Sequence, residues 1–187
     1  MRILLILFIL PLIIACQKEC YHPKGRYQKH VIKKGKHYSE GRYIKKTRCD
    51  SLAFNFYFDE TVLEYGPDQI NKIYGMSNTI DPRYASARIG WMCRDSTTIE
   101  IYAYVDSSVD GRYKRDYKLL TKIHPNDTVS AVIEDKGDYW LMSVDTEYAY
   151  EQVVIDKKRG KMFNIILWPY YGGQQRARKQ IHVYIDS

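Results

Sequence analysis

The sequence predicts an all-β protein folded as an antiparallel β-sandwich, and three observations carry that expectation. Apolar and polar residues alternate with a period of two in roughly ten short segments, separated by turn signals such as Asp110-Gly111 and the run 135–138. Helical patterning is confined to one stretch, residues 67–74. Tyr, whose ring packs on a pleated surface while its hydroxyl stays hydrated, occurs 18 times against 5 Phe and 3 Trp. With 187 residues and 45% hydrophobic content the chain can bury one respectable core, and with helix nearly absent the two-layered β architectures remain.

The N-terminus divides from this body. Residues 1–15, MRILLILFILPLIIA, carry one positive charge and then an apolar run of signal-peptide length, too short to cross a bilayer with ease. The run ends in Ile13-Ile14-Ala15-Cys16, which resembles the lipobox of bacterial lipoproteins. That resemblance implies cleavage before Cys16, acylation of Cys16 and a lipid bilayer as the partner of the anchor, with acyl chains contributing about 0.8 kcal/mol per buried CH₂. The following Gln17-Lys18-Glu19 is similar to the signal that sends lipoproteins of Bacteroidetes outward, which implies the outer membrane and the cell surface. The expected organisation is a signal peptide over 1–15, a basic tether over 16–27 and one sandwich domain over 28–187.

Charge is distributed in the same way. The formal net charge is +7, yet residues 17–48 hold 11 Lys and Arg against 2 acidic residues, whereas the chain from Cys49 onward holds 17 against 20. A basic arm on a mildly acidic body, with no helix-turn-helix, zinc-finger or RNA-recognition pattern, argues against nucleic acid as a partner. Near anionic headgroups each basic residue of the tether contributes about 1 kcal/mol. After Cys16, three cysteines remain in a compartment that permits disulfides, and Cys93 is expected as a buried thiol on the apolar face of its strand. No Cys/His spacing indicates a metal, and no cofactor is expected.

Taken in order, Val31-Ile32 predicts an edge strand and LAFNFYF, residues 52–58, a buried one. Pro67 suits a first helical turn and Gly75 a stop, which predicts a short helix over 67–74. Residues 84–105, YASARIGWMCRDSTTIEIYAYV, form the centre: Ala85, Ala87, Ile89, Trp91 and Cys93, then Ile99, Ile101, Ala103 and Val105, alternate around the polar link 94–98. This predicts two antiparallel strands with Trp91 in the core. A loop over 106–113 with Asp110-Gly111 as its turn leads to a strand over 112–123. Segments 128–133, 138–144, 147–155, 161–168 and 180–186 complete the series, and Gly172-Gly173 is expected as a bulge at a sandwich corner.

Three segments together resemble a family of hypothetical proteins, many of them Bacteroidetes lipoproteins: Ala87 to Trp91, the stretch IEIYAY, and the C-terminal Trp168-Pro169-Tyr170-Tyr171-Gly172-Gly173. The last strands of that family run PYFGGN, then APHD, then an alternating Ile strand. The matching positions here are Pro169, Tyr170, Tyr171, Gly172, Gly173, Gln174, Ala177, Ile181, Val183 and Ile185, and the likeness extends over about residues 31–185. Arg178, Lys179 and Gln180 depart from it where the family has Pro-His-Asp. The resemblance implies a concanavalin-like jelly roll, a fold shared by lectins and polysaccharide-cleaving enzymes, and fold alone does not settle function.

The second face of the central pair supplies the candidate ligand-binding residues Arg88, Glu100, Tyr102 and Tyr104, joined by Trp168 and Tyr184. Aromatic faces stack on sugar C–H surfaces and Arg or Glu adds directional hydrogen bonds, so the expected role is non-catalytic glycan binding. Tyr102 and Tyr104, two residues apart on one strand, are expected to form a hydrated platform. Glu100 is expected to be partly desolvated with a raised pKa. No catalytic set is assigned. A polysaccharide-cleaving enzyme and a structural or assembly subunit of a surface complex are the alternatives left open.

Overall fold

The computed structural model describes residues 23–63, 69–109, 111–157 and 163–187, and among them the chain forms two six-stranded antiparallel sheets. Cys16, with its expected lipid anchor, and Cys20 lie outside the described residues. The first sheet runs in the order β1 (Gln28–Ile32), β12 (Ile181–Asp186), β3 (Ser51–Phe58), β8 (Val129–Asp135), β9 (Tyr139–Asp145), β10 (Tyr150–Asp156). The second runs β2 (Lys45–Thr47), β11 (Asn164–Leu167), β4 (Asn71–Ser77), β5 (Ala85–Cys93), β6 (Ile99–Val109), β7 (Arg112–Ile123). Two meanders, β4 to β7 and β8 to β10, are each extended by a late strand, β11 beside β4 and β12 beside β3. The two sheets form a β-sandwich, and the late strands join residues more than a hundred positions apart, as where Val183 pairs with Phe58.

The alternation in residues 51–58 explains why that segment is central to the first sheet. Leu52, Phe54, Phe56 and Phe58 have no exposed surface, while Ser51, Ala53, Asn55 and Tyr57 on the opposite face are only partly covered. Across the interface Ala87, Ile89, Trp91, Cys93, Ile99, Ile101, Ala103 and Val105 supply the facing layer. The Trp91 ring lies 5.4 Å from Phe58 and 6.1 Å from Tyr171, so it sits at the contact of both sheets and the C-terminal loop. Each large apolar side chain buried here contributes about 1.5–3 kcal/mol. Cys93 is a buried thiol whose Sγ donates to Val62 O at 3.3 Å, and Cys49 is disulfide-bonded.

One end of the sandwich is closed by polar groups. Lys157 Nζ lies 2.6 and 2.7 Å from the two Asp135 oxygens, with both side chains 1% exposed. The same carboxylate accepts from Asn78 Nδ2 and from Gly137 N, and the ammonium lies 5.0 Å from the Trp140 ring. Full hydrogen bonding is what makes a buried pair tolerable.

Four expectations are corrected. Residues 71–77 form strand β4, so the expected helix does not form over them; Pro67 lies outside the described residues, and among the described residues the only helical segment is a 3-10 turn, Glu60–Val62. Pairing with β5 and β11 on either side prevails over the local punctuation of Gly75. Strand β6 continues through residues 106–109 by pairing with β7, so the expected loop shrinks to a turn in which Gly111 has φ +75°. Strand β2 was not expected; its Lys-Lys-Thr sequence has no alternation and it forms by pairing with β11. Gly172-Gly173 is not a bulge: it is a loop anchored on the start of β4, Gly172 N donating to Asn71 Oδ1 at 2.6 Å and Gly173 N to Gln69 Oε1 at 2.9 Å.

Candidate functional site

Only one face of the central hairpin meets the first sheet. On the outer face, cross-strand pairing sets Arg88 opposite Tyr104 and Met92 opposite Glu100, then Tyr104 opposite Tyr117, Asp106 opposite Arg115 and Glu100 opposite Lys122. The period of two continues from Glu100 through Tyr102 and Tyr104 to Asp106, which places all four on that face.

A bulge brings a further cation to it. The register of β4 against β5 shifts between Lys72 and Tyr74, so Lys72 pairs with Gly90 and Tyr74 with Ile89. Without the extra residue Ile73 the two side chains would share a face; with it, Tyr74 enters the core and Lys72 turns outward. Glycine at the neighbouring positions leaves the necessary space. A Cβ on Gly75 would come 2.7 Å from Arg88 Cα and 2.9 Å from Arg88 Cγ, and one on Gly90 would collide with Ile70. The stem of Arg88 thus fills the gap at Gly75, and Ile70 packs with Met92, Tyr102 and Tyr104 in a small apolar cluster of its own.

Two charged groupings result. In the first, Glu100 Oε2 accepts from the Tyr102 hydroxyl at 2.5 Å and from Arg94 Nε at 3.3 Å, while Glu100 Oε1 lies 3.1 Å from Lys122 Nζ. Burial pushes the Glu100 carboxyl up, but hydrogen bonds from Tyr102, Lys122 and Arg94 outweigh it, and the pKa is lowered; the expected rise does not occur. Burial and Glu100 together push the Tyr102 phenol up to about 12.

The second grouping surrounds the Tyr104 ring. Lys72 Nζ lies 4.4 Å from its centroid and Arg115 Cζ 5.3 Å, while the Tyr104 hydroxyl and Arg115 Nε both reach Asp106 Oδ1, at 3.2 and 3.1 Å. Arg88 is 8% exposed, and its Nε is buried without a hydrogen-bond partner. Burial pushes the Arg88 guanidinium down. Burial first, then repulsion from Arg88 and Arg115, brings Lys72 from 10.5 down to about 7 against the pull of Asp106. Beyond Lys72 an aromatic wall leads to the surface: Tyr170 lies 5.6 Å from Lys72 Nζ, Tyr38 is 4.8 Å from Tyr170, and Arg42 Cζ sits 3.5 Å over Tyr38.

No protein-family model matches the chain, and no curated protein matches it. Among solved structures the chain is similar to the crystal structure of scytalido-glutamic peptidase with a transition state analog inhibitor, at 9% identity and a TM-score of 0.34. The match covers 88% of this chain and spans 66% of that one, and nothing about the chemistry of this chain follows from it.

Of the expected site residues, the structure brings Arg88, Glu100, Tyr102 and Tyr104 together on one face and places the other two elsewhere. Tyr102 and Tyr104 are 7% and 1% exposed, so they form no hydrated platform; Ile70 and Lys72 pack over them. Trp168 lies at the sandwich edge, where its indole donates to Tyr43 O at 2.6 Å and packs on Tyr74 and His30. Tyr184 belongs to the outer face of the first sheet, stacked on Tyr57 at 4.5 Å, with its hydroxyl on Asp59 beside His182. Sequence reasoning missed Lys72, Asp106, Arg115 and Tyr170. The alternation beyond Tyr104 is the signal that could have found Asp106, whereas the bulge hides Lys72.

Proposed function

We propose that this protein is a lipid-anchored protein of the bacterial outer membrane, displayed at the cell surface, that binds glycans through the outer face of β4 to β7. The single observation that carries this reading is the polar and aromatic layer on that face. Tyr104, Lys72, Arg88 and Arg115 occupy a side of the sheet that contributes nothing to the inter-sheet core, so packing alone does not account for their chemistry. Aromatic walls at Tyr38 and Tyr170 suit the apolar faces of sugar rings, and the charged side chains suit their polar substituents. The disulfide at Cys49 supports an extracytoplasmic location. The anchor at Cys16 follows from the lipobox resemblance.

A glycan array probed with the full-length protein in detergent tests the reading. Binding to a coherent set of glycans that is weakened by Tyr170→Ala and Tyr38→Ala supports it, and silence across a broad array contradicts it. A polysaccharide-cleaving enzyme is the second reading, favoured by one observation: a buried amine, Lys72, held 4.4 Å over the Tyr104 ring and lowered by burial to about 7, is suited to moving a proton at neutral pH. Incubation with array-positive polysaccharides distinguishes the two, since a binder leaves chain length unchanged.

A further inference from the structure

We infer that Lys72, Arg88 and Arg115 hold an anionic substituent of an acidic glycan, a carboxylate or sulfate carried on a sugar ring seated against Tyr170 and Tyr38. This inference rests on the glycan-binding reading and names the ligand class for the same face. Two cations, Lys72 and Arg115, lie over the Tyr104 ring and Arg88 is its cross-strand partner, while the carboxylate beside them, Asp106, is already engaged by Arg115 and by the Tyr104 hydroxyl. Arg88 is the decisive group. A guanidinium carries five donors in a planar fork suited to bidentate recognition of an oxyanion, yet this one is buried with Nε unsatisfied and makes no ion pair among the described residues. Asp106, the carboxylate that acts on Arg88, is bonded to Arg115 and neutralises only one of the three cations, so the buried charge left over points to a counter-charge that arrives with a ligand.

The three cations differ in exposure. The Arg115 side chain is 58% exposed, whereas Lys72, over Tyr104 and Tyr170, and Arg88 are both buried. Arg115 attracts an anion from solvent, and Lys72 and the unsatisfied Nε of Arg88 supply the spare donors that would hold it. Among the described residues the Lys72 ammonium donates one hydrogen bond, to Ile70 O at 2.8 Å, and retains donors for an incoming oxygen. A neutral sugar has the aromatic wall to stack on but leaves the two buried cations uncompensated. Selectivity for acidic over neutral glycans follows from that difference.

The test is calorimetric titration of the full-length protein in detergent, at one fixed ionic strength, with four probes: a polyuronate, a sulfated polysaccharide, neutral dextran and inorganic sulfate. The expected result is binding of the polyuronate or the sulfated chain at least about tenfold tighter than dextran. Arg88→Met should remove that preference while its melting temperature holds or rises, because an uncompensated buried charge is lost; Arg115→Gln at the exposed rim should weaken the same probe without affecting folding. Equal affinity for acidic and neutral chains, unchanged in Arg88→Met, overturns the inference and leaves glycan binding standing. Binding of inorganic sulfate with no polysaccharide bound overturns it as an acidic-glycan site, and no binding of any probe overturns both readings.

Discussion

Trp91 and Lys72 stand on opposite faces of the same sheet and show how differently the two faces treat their residues. Trp91, 1% exposed and in ring contact with Phe58, contributes packing from both sheets. Trp91→Ala is expected to destabilise the fold by roughly 3–5 kcal/mol, read from chemical or thermal denaturation. Lys72 instead costs stability. Its pKa, about 7 when folded and 10.5 ordinarily, means that between those values the unfolded chain binds a proton that the folded chain lacks, so stability rises with pH across that window. Below the folded value the ammonium is charged in both states and the full cost of burying it applies. Lys72→Met is therefore expected to melt higher than the wild type near about pH 6, with the gap narrowing toward about pH 10. A gap independent of pH would show that the amine is not the cause.

Among the elements, β4 holds the site together and is the one least visible in the sequence. Local signals for it point to a helix, since Pro67 and Gly75 bracket a plausible turn and the bulge at Ile73 breaks the period of two. Gly75 is there for a different reason, the close approach of Arg88 on β5. Gly75→Ala places a methyl against Ala87 O and the Arg88 backbone, atoms that cannot swing aside, and is expected to cost about 1–3 kcal/mol while displacing Arg88. Differential scanning calorimetry checks the stability, and loss of acidic-glycan binding checks the displacement. The β5–β6 pair, by contrast, was legible as two antiparallel strands with its apolar face, because alternation interrupted by one polar link keeps Ile89, Trp91, Ile101 and Ala103 on one side. Tyr170 could not be placed from sequence: it reaches the site through backbone bridges to Lys72 and Tyr38, which depend on the long return of the C-terminal segment.

For the whole molecule, the two-layered sandwich commits one face of β4 to β7 to the core and leaves the other to carry a charged aromatic layer. Lys24 N and Gly25 N bond the Asp186 carboxylate beside the edge strand β1, so this segment joins at an edge of the first sheet and not on the candidate face. Cys16→Ala is expected to abolish fatty-acid labelling and to leave an unprocessed or mislocalised protein; label retained in the variant would refute the anchor. The site residues legible in the sequence were those continuing the central alternation, whereas the cations contributed by a bulged strand and an edge strand required the fold. Hydrogen–deuterium exchange of the full-length protein, with and without an acidic polysaccharide, tests most directly which face carries function. Binding through the outer face of β4 to β7 predicts new protection in β4, β5 and β6 around Lys72, Arg88 and Tyr104. Protection confined to the outer face of the first sheet around Tyr57 and Tyr184, or none at all, would contradict it.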